Sequence, residues 1–338
     1  MSRALDQGAA ASIMASDPQG AYHDIVEALH SNTSDLLDIE LLGKSHPLPE
    51  GCNVLLDGTS IAIPKLKLVQ AFVVARQIFF NCLKDFKEKQ FQDIRNASAI
   101  ILLMDPEHIT AVNARKRIIQ ELRAGFEAGL HIVLRRELLA VDSFLTSRLY
   151  RHTKSPTLWG HRRWLVQVLK SMNFPHDIQR DLTTVVLVAA ERHPRNYYAW
   201  LHLRWLLQVS QSSRNLSYFD ASKVLSVVKD WCLMHPSDTS GWSFVLFCLF
   251  SIEASKSAWM EANSSICKEV LGLTESFKWT HESIWVFLRT LVAARGIGEE
   301  QRASFFKTIQ ATITTQPENS KVRNMLKASH DWCIEYSV

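Results

Sequence analysis

The sequence has no large excess of either charge. Its 38 basic residues stand against 34 acidic ones for a net +4, too even a balance to mark a nucleic-acid binder, although it leaves room for a local basic face. It has no C-x-x-C pair, and no histidine stands at zinc-finger spacing from Cys52, Cys82, Cys232, Cys248, Cys267 or Cys333. No metal site is therefore expected on this chain, and the thiols read as reduced and mostly buried. Residues 1–20 hold no apolar run of signal-peptide length, and nowhere do eighteen uncharged apolar residues follow one another. These absences lead to the expectation of a soluble, cytoplasmic chain without a membrane span. What is present is apolar content of 47% over 338 residues, enough for a large core.

Residues 1–20 are rich in Ala, Ser, Gly and Asp without period, which predicts a loose tail. Residues 21–63 divide into two parts. Ile25, Leu29, Leu36, Leu37 and Leu41 among acids suggest one or two short helices between Ala21 and Leu42, and Asn53 to Ile63 places an Asp57-Gly58 turn between two aliphatic runs, a hairpin signal. From residue 64 to 338 the pattern is helical, with segments such as Gly129 to Tyr150 and Pro175 to Arg192. Prolines 106, 156, 175, 194 and 236 fall between segments, where a missing N–H does no harm.

Aligning the tryptophans exposes a repeat. Trp159, Trp200, Trp242 and Trp285 are separated by 41, 42 and 43 residues, and Val112 precedes Trp159 by 47. Pro106, Pro194 and Pro236 each stand six residues ahead of an aligned position. That period excludes a tetratricopeptide array and fits a two-helix unit. The expected fold is all-α: a right-handed superhelical solenoid of antiparallel helix pairs with a small N-terminal hairpin, its repeats centred on Val112, Trp159, Trp200, Trp242 and Trp285.

Within a repeat, Trp159 and Trp164, like Trp200 and Trp205, lie about 140° apart around a helix, so bulk sits on two flanks and the helix packs between neighbours. Arg162 follows its tryptophan by three positions, whereas Arg163 and Arg204 follow by four. All three share the tryptophan face. A guanidinium there ties a carbonyl or carboxylate of an adjacent element, stacks on an aromatic ring, or contacts a ligand. His161 and His202 hold the same place in their repeats, which favours a packing role over catalysis. The loop Pro194-Arg195-Asn196-Tyr197 leads into a helix N-terminus, offering a cation and a phenol to an anion such as a diphosphate. Alternatively Asn196 is only a cap, Tyr197 first-turn packing and Arg195 solvated.

The segments Ser155 to Trp164 and His193 to Trp200 resemble the repeats of protein prenyltransferase alpha subunits, over about residues 100 to 295. Met234 to Gly241 and His281 to Trp285 are similar to the branch of prenyltransferase alpha subunit repeat-containing proteins. The resemblance implies a crescent of helix pairs around a separate beta subunit that carries the zinc, with no cofactor on this chain. It implies transfer of an isoprenoid, geranylgeranyl rather than farnesyl, to a C-terminal cysteine of a protein substrate. The implied partner is the beta subunit of the Rab geranylgeranyltransferase type. Arg195 falls where that family places a lysine near the isoprenoid diphosphate, and Tyr197 matches a neighbouring tyrosine. The pattern departs at Val112, at Val245 and Leu246, and at Arg204 and Arg289, which come one position late. The resemblance also leaves open a helical scaffold that binds proteins without transfer.

Overall fold

The computed structural model describes residues 17–336, apart from 32–33, 44–45, 47, 50, 126–128, 175, 213–217, 252–255 and 295–296. Most of the expected tail, and Pro175 as a helix start, lie outside the described residues. The chain divides into two compact units, Met1–Ala199 and Trp200–Val338.

The first unit opens with α1 (Pro18–His30), whose Asp17 carboxylate caps Gly20 N–H, so the last residues of the expected tail are already helical. A small sheet follows: β1 (Asp38–Leu42), β2 (Leu55–Asp57) and β3 (Ser60–Pro64), in the order β1-β3-β2. The hairpin expected at Asp57-Gly58 is present, with Asp57 opposite Ser60 and Gly58 at φ 58°, the left-handed conformation glycine adopts readily. Where a helix is expected to reach Leu42, Asp38–Leu42 forms strand β1, parallel to β3. Leu37, just before the strand, and Ile39 within it are both buried, with half-buried Asp38 between them. Their backbone N–H groups donate to Ser143 Oγ and Ser147 Oγ, about a hundred residues onward, a long-range docking that overrides local pattern.

Helices α2 (Lys65–Asp85), α3 (Phe91–Met104), α4 (Ile109–Ala124), α5 (Leu130–Thr146) and α6 (Pro156–Ser171) come next. Then α7 (Ile178–Asp181) runs through a π-helical turn, Leu182–Val186, into α8 (Leu187–Arg192). By length and composition α2 would suffice to cross a membrane; here Leu68, Ala71, Val74, Ala75 and Phe79 are buried and the helix packs on α1 and α3. Helix α9 (Tyr197–Ser212) leads into the second unit, which contains α10 (Tyr218–Met234), α11 (Thr239–Ser251), α12 (Lys256–Phe277), α13 (Glu282–Ala293), α14 (Glu299–Thr315) and α15 (Lys321–Tyr336).

Apart from the small sheet, the fold is all-α and is packed as a helical solenoid. In the second unit α11 meets α10 and α13, α12 meets α13 and α14, and α13 and α14 both meet α15. Four of the five aligned helices are capped at one register by a side chain. His108, Ser155, Asn196 and Asp238 all stand four residues before an aligned position, and each accepts a backbone N–H at the helix start. Two of the proline turns also latch onto the following repeat: Ser155 Oγ donates to the Pro106 carbonyl at 3.2 Å, and Ser283 Oγ to the Pro236 carbonyl at 2.5 Å.

Gly241, just inside α11, lets that helix approach α10. A Cβ there would stand 2.8 Å from Cys232 Sγ and 3.1 Å from the Trp231 ring, both buried. Alanine is the better helix former by about 1 kcal/mol, yet Gly241→Ala is expected to lower stability by about 1–3 kcal/mol because overpacking dominates. Urea unfolding of the two proteins measures the difference, and a stabilised variant would contradict the close approach.

Candidate functional site

The motif residues of the first unit point inward. Arg162 and His161 on α6 are fully buried and both reach α5. Arg162 Nε donates to Asp142 Oδ1 at 2.6 Å and its Nη1 to Asp181 Oδ2 at 2.7 Å, so one guanidinium joins α5, α6 and α7. His176 Nε2 also meets Asp181 Oδ2 at 2.7 Å. Burial opposes charge on Asp181, but Arg162 and His176 outweigh it and hold the carboxyl well below the usual range. Burial and the neighbouring Asp181 charge push Asp142 upward, so Asp181 is the acid held firmly ionised.

A second node lies one turn along α5. Arg115 grips Glu137 in a bidentate pair at 2.6 and 2.7 Å, and its Nη1 donates to the Arg95 carbonyl and Ser98 Oγ. His161 Nε2 stands 2.9 Å from Glu137 Oε1. Burial opposes the Glu137 charge, yet Arg115 and His161 hold its carboxyl far below the usual range. Burial also lowers the His161 pKa, so the ring is neutral and donates from Nε2. Arg115 follows Val112 by three positions as Arg162 follows Trp159, a signal in the sequence that the loss of the tryptophan concealed.

The turns at the helix N-termini point outward. Asn196 is 1% exposed and pins the turn: its Nδ2 donates to the Thr153 carbonyl at 2.7 Å and the Ala189 carbonyl at 3.2 Å, while its Oδ1 caps Ala199. Thr153 also accepts from Trp159 Nε1 at 2.9 Å. Arg195, exposed and left-handed at φ 59°, and Tyr197, 60% exposed, are carried on that turn, with Tyr197 N donating to the Arg195 carbonyl. His193 packs on Tyr150 with ring centres 4.4 Å apart, and Lys154 Nζ lies 4.7 Å over Tyr150. Arg192 and Arg148 both bind Asp38 of β1, at 3.0 and 3.3 Å. Beneath Tyr150 a surface cavity of about 390 Å³ is lined by Ser147, Arg148, Thr153 and Arg192 among others. Arg195 and Tyr197 are not among its lining residues.

In the second unit the motif residues meet aromatic rings. Trp200 lies 5.3 Å from Trp231 and 5.4 Å from Phe244, Trp242 lies 4.7 Å from Phe287, and His202 lies 5.4 Å from Trp205. Trp285 donates to the carbonyl six residues earlier, as Trp159 does. Arg204 and Arg289, at the later position, sit 4.6 Å over Phe247 and 4.8 Å over Trp332. Among the described residues, no group of three histidines, cysteines or acids could hold a metal ion.

Fold and site together define a helical-repeat protein whose motif side chains hold the repeats together and whose cationic turns face outward. Residues 158–270 match the family described as the ECM9 middle domain. A human protein, protein prenyltransferase alpha subunit repeat-containing protein 1, is 28% identical over 201 residues, which cover 55% of this chain and 46% of that protein. The chain thus spans about half the length of this relative. The resemblance carried by the segments Ser155 to Trp164 and His193 to Trp200 stands: the chain is similar to a protein named for prenyltransferase alpha subunit repeats.

Two outcomes follow. Arg162→Ala leaves two acids buried without their cation and is expected to cost about 3–5 kcal/mol; adding Asp142→Asn and Asp181→Asn should recover part of the loss in denaturant unfolding. His152, 4% exposed with Nε2 at 2.9 Å from the Leu102 carbonyl, is pushed by burial from its ordinary 6.5 down to about 4. Between those values the unfolded chain binds the extra proton, so stability is full above pH 6.5 and falls as pH drops toward 4. The loss from this group is about 3 kcal/mol, and melting temperature against pH should flatten over that window in His152→Gln.

Proposed function

We propose that this chain is the alpha-type subunit of a heterodimeric protein prenyltransferase, acting on cysteines near the C-terminus of a protein substrate, with geranylgeranyl transfer favoured over farnesyl. In this proposal the zinc and the main catalytic site belong to a separate beta subunit of the Rab geranylgeranyltransferase type, where the metal would hold the substrate cysteine as its thiolate. The pair works in the cytoplasm.

The observation that carries the proposal is the turn at the start of α9. Buried Asn196 fixes its backbone, while Arg195 and Tyr197 remain at the surface at a helix N-terminus, whose dipole favours an anion. The Arg195 cation there opposes negative charge building on a departing diphosphate, and the Tyr197 hydroxyl donates to one of its oxygens. Similarity to a human protein named for its prenyltransferase alpha subunit repeats supports the same reading.

A second reading is a helical scaffold that binds proteins without transfer. It is favoured by the inward motif arginines, since Arg115 and Arg162 make their bonds within the fold and Arg204 and Arg289 stack on its rings.

Co-expression with candidate beta subunits, followed by transfer of labelled isoprenoid to cysteine-ended peptides, separates the two. A stable complex without transfer favours the scaffold, and no complex removes the transferase proposal. Within an active pair, Arg195→Gly relieves a left-handed backbone strain of about 1 kcal/mol and is expected to hold or raise the melting temperature while slowing transfer. Unchanged kinetics would leave Arg195 without a role in transfer.

A further inference from the structure

A cavity of about 210 Å³ lies in the first unit between α1, β1, α3 and α5. Leu37, Ile39, Ala99 and Phe144 give it apolar walls. Arg95 and Arg136 supply charge at its edge. Arg95 is half-buried, and its backbone is held by the bond from Arg115 Nη1 to its carbonyl at 2.8 Å. Among the described residues its guanidinium has neither a hydrogen bond nor an ion pair. Four of the five N–H groups of Arg115 are committed to Glu137, Ser98 and the Arg95 carbonyl, so Arg115 adds charge to the wall with its own acid already in place.

The acid on the rim does not answer that charge. Asp35 is exposed and accepts from Ser34 Oγ at 2.9 Å. Burial lowers the Arg95 pKa, Glu137 partly offsets this, and the Arg115 and Arg136 charges lower it further. A partly desolvated guanidinium with cationic neighbours and no anion in direct contact is unfavourable, and a bound anion would relieve it. The planar fork of arginine suits a carboxylate or phosphate. The volume holds about seven waters, room for a head group and a short chain.

We propose that this cavity binds a small anion-headed amphiphile, with Arg95 receiving a carboxylate or phosphate head and the Leu37, Ile39, Ala99 and Phe144 walls seating its apolar body. The site is independent of the Arg195 turn and of any prenyl transfer. It exists because β1 folds across α3 and α5, with Leu37 N–H and Ile39 N–H donating to Ser143 and Ser147 of α5 and the turn after it.

The test titrates the full chain with octanoate, octyl phosphate, neutral octanamide and inorganic phosphate, using calorimetry and amide chemical shifts. At least one anionic amphiphile should saturate the site, with octanamide and inorganic phosphate about tenfold weaker or worse. Preference between octanoate and octyl phosphate identifies the head group. Arg95→Gln should weaken the anion about tenfold without lowering the melting temperature, because that side chain makes no bond to the rest of the fold. Ala99→Leu should block all the chains by filling the wall. The proposal is overturned if neither anion binds, if octanamide or inorganic phosphate binds equally well, or if neither substitution changes affinity.

Discussion

The first unit depends on one fully buried cation. Arg162 has no access to water, so its charge is tolerable only while Asp142 and Asp181 stay in place. That requirement is geometric as well as energetic. It sets α5, α6 and α7 at distances a guanidinium can bridge, and it forbids independent drift of any of the three. Arg115 applies the same constraint between α4 and α5 through Glu137, and His161 links that carboxylate back to α6. A hydrophobic core alone would be indifferent to register. Charged hydrogen bonds of 2.6 to 2.9 Å are not.

With the helices held, the turns become rigid platforms. The Thr153 carbonyl accepts from both Trp159 and Asn196, so a single oxygen couples one repeat's tryptophan to the next repeat's cap. His152 and Ser155, on either side, reach back to the Leu102 and Pro106 carbonyls. The segment that leads into α6 is therefore fastened on both sides, and the segment that leads into α9 inherits its position through Asn196. Arg195 and Tyr197, on either side of Asn196, are carried by this chain of bonds.

Much of this was legible because the signals were local. Tryptophan spacing, prolines six positions ahead and the Asp57-Gly58 turn each report on a few neighbouring residues, and α-helices and tight turns are made of such short-range preferences. Strand β1 was not legible, since Leu36, Leu37 and Leu41, before and within it, fit a helix as well as a strand until Ser60 to Pro64 and Ser143 are supplied from elsewhere. The burial of Arg115 was hidden for a related reason: its partners lie about twenty residues away on either side, at Arg95, Ser98 and Glu137. The cavity beside Arg95 needs four elements at once, α1, β1, α3 and α5, which no local pattern encodes.

The late arginines explain why the two units differ in chemistry. Moving the arginine from the third to the fourth position after the tryptophan turns it by about 100° around the helix axis, away from the face that finds acids in the first unit. Arg204 and Arg289 meet Phe247 and Trp332 instead, and around them the tryptophans pack on rings: Trp200 on Trp231 and Phe244, Trp242 on Phe287, Trp285 near Phe305. An aromatic core of this kind tolerates loss of the arginine altogether, as at Val245 and Leu246. An ion-paired core does not, because removing the cation strands its acids. Divergence of the motif is therefore expected to run furthest in the second unit, and the buried network that positions the Arg195 turn is the part of the repeat least free to change.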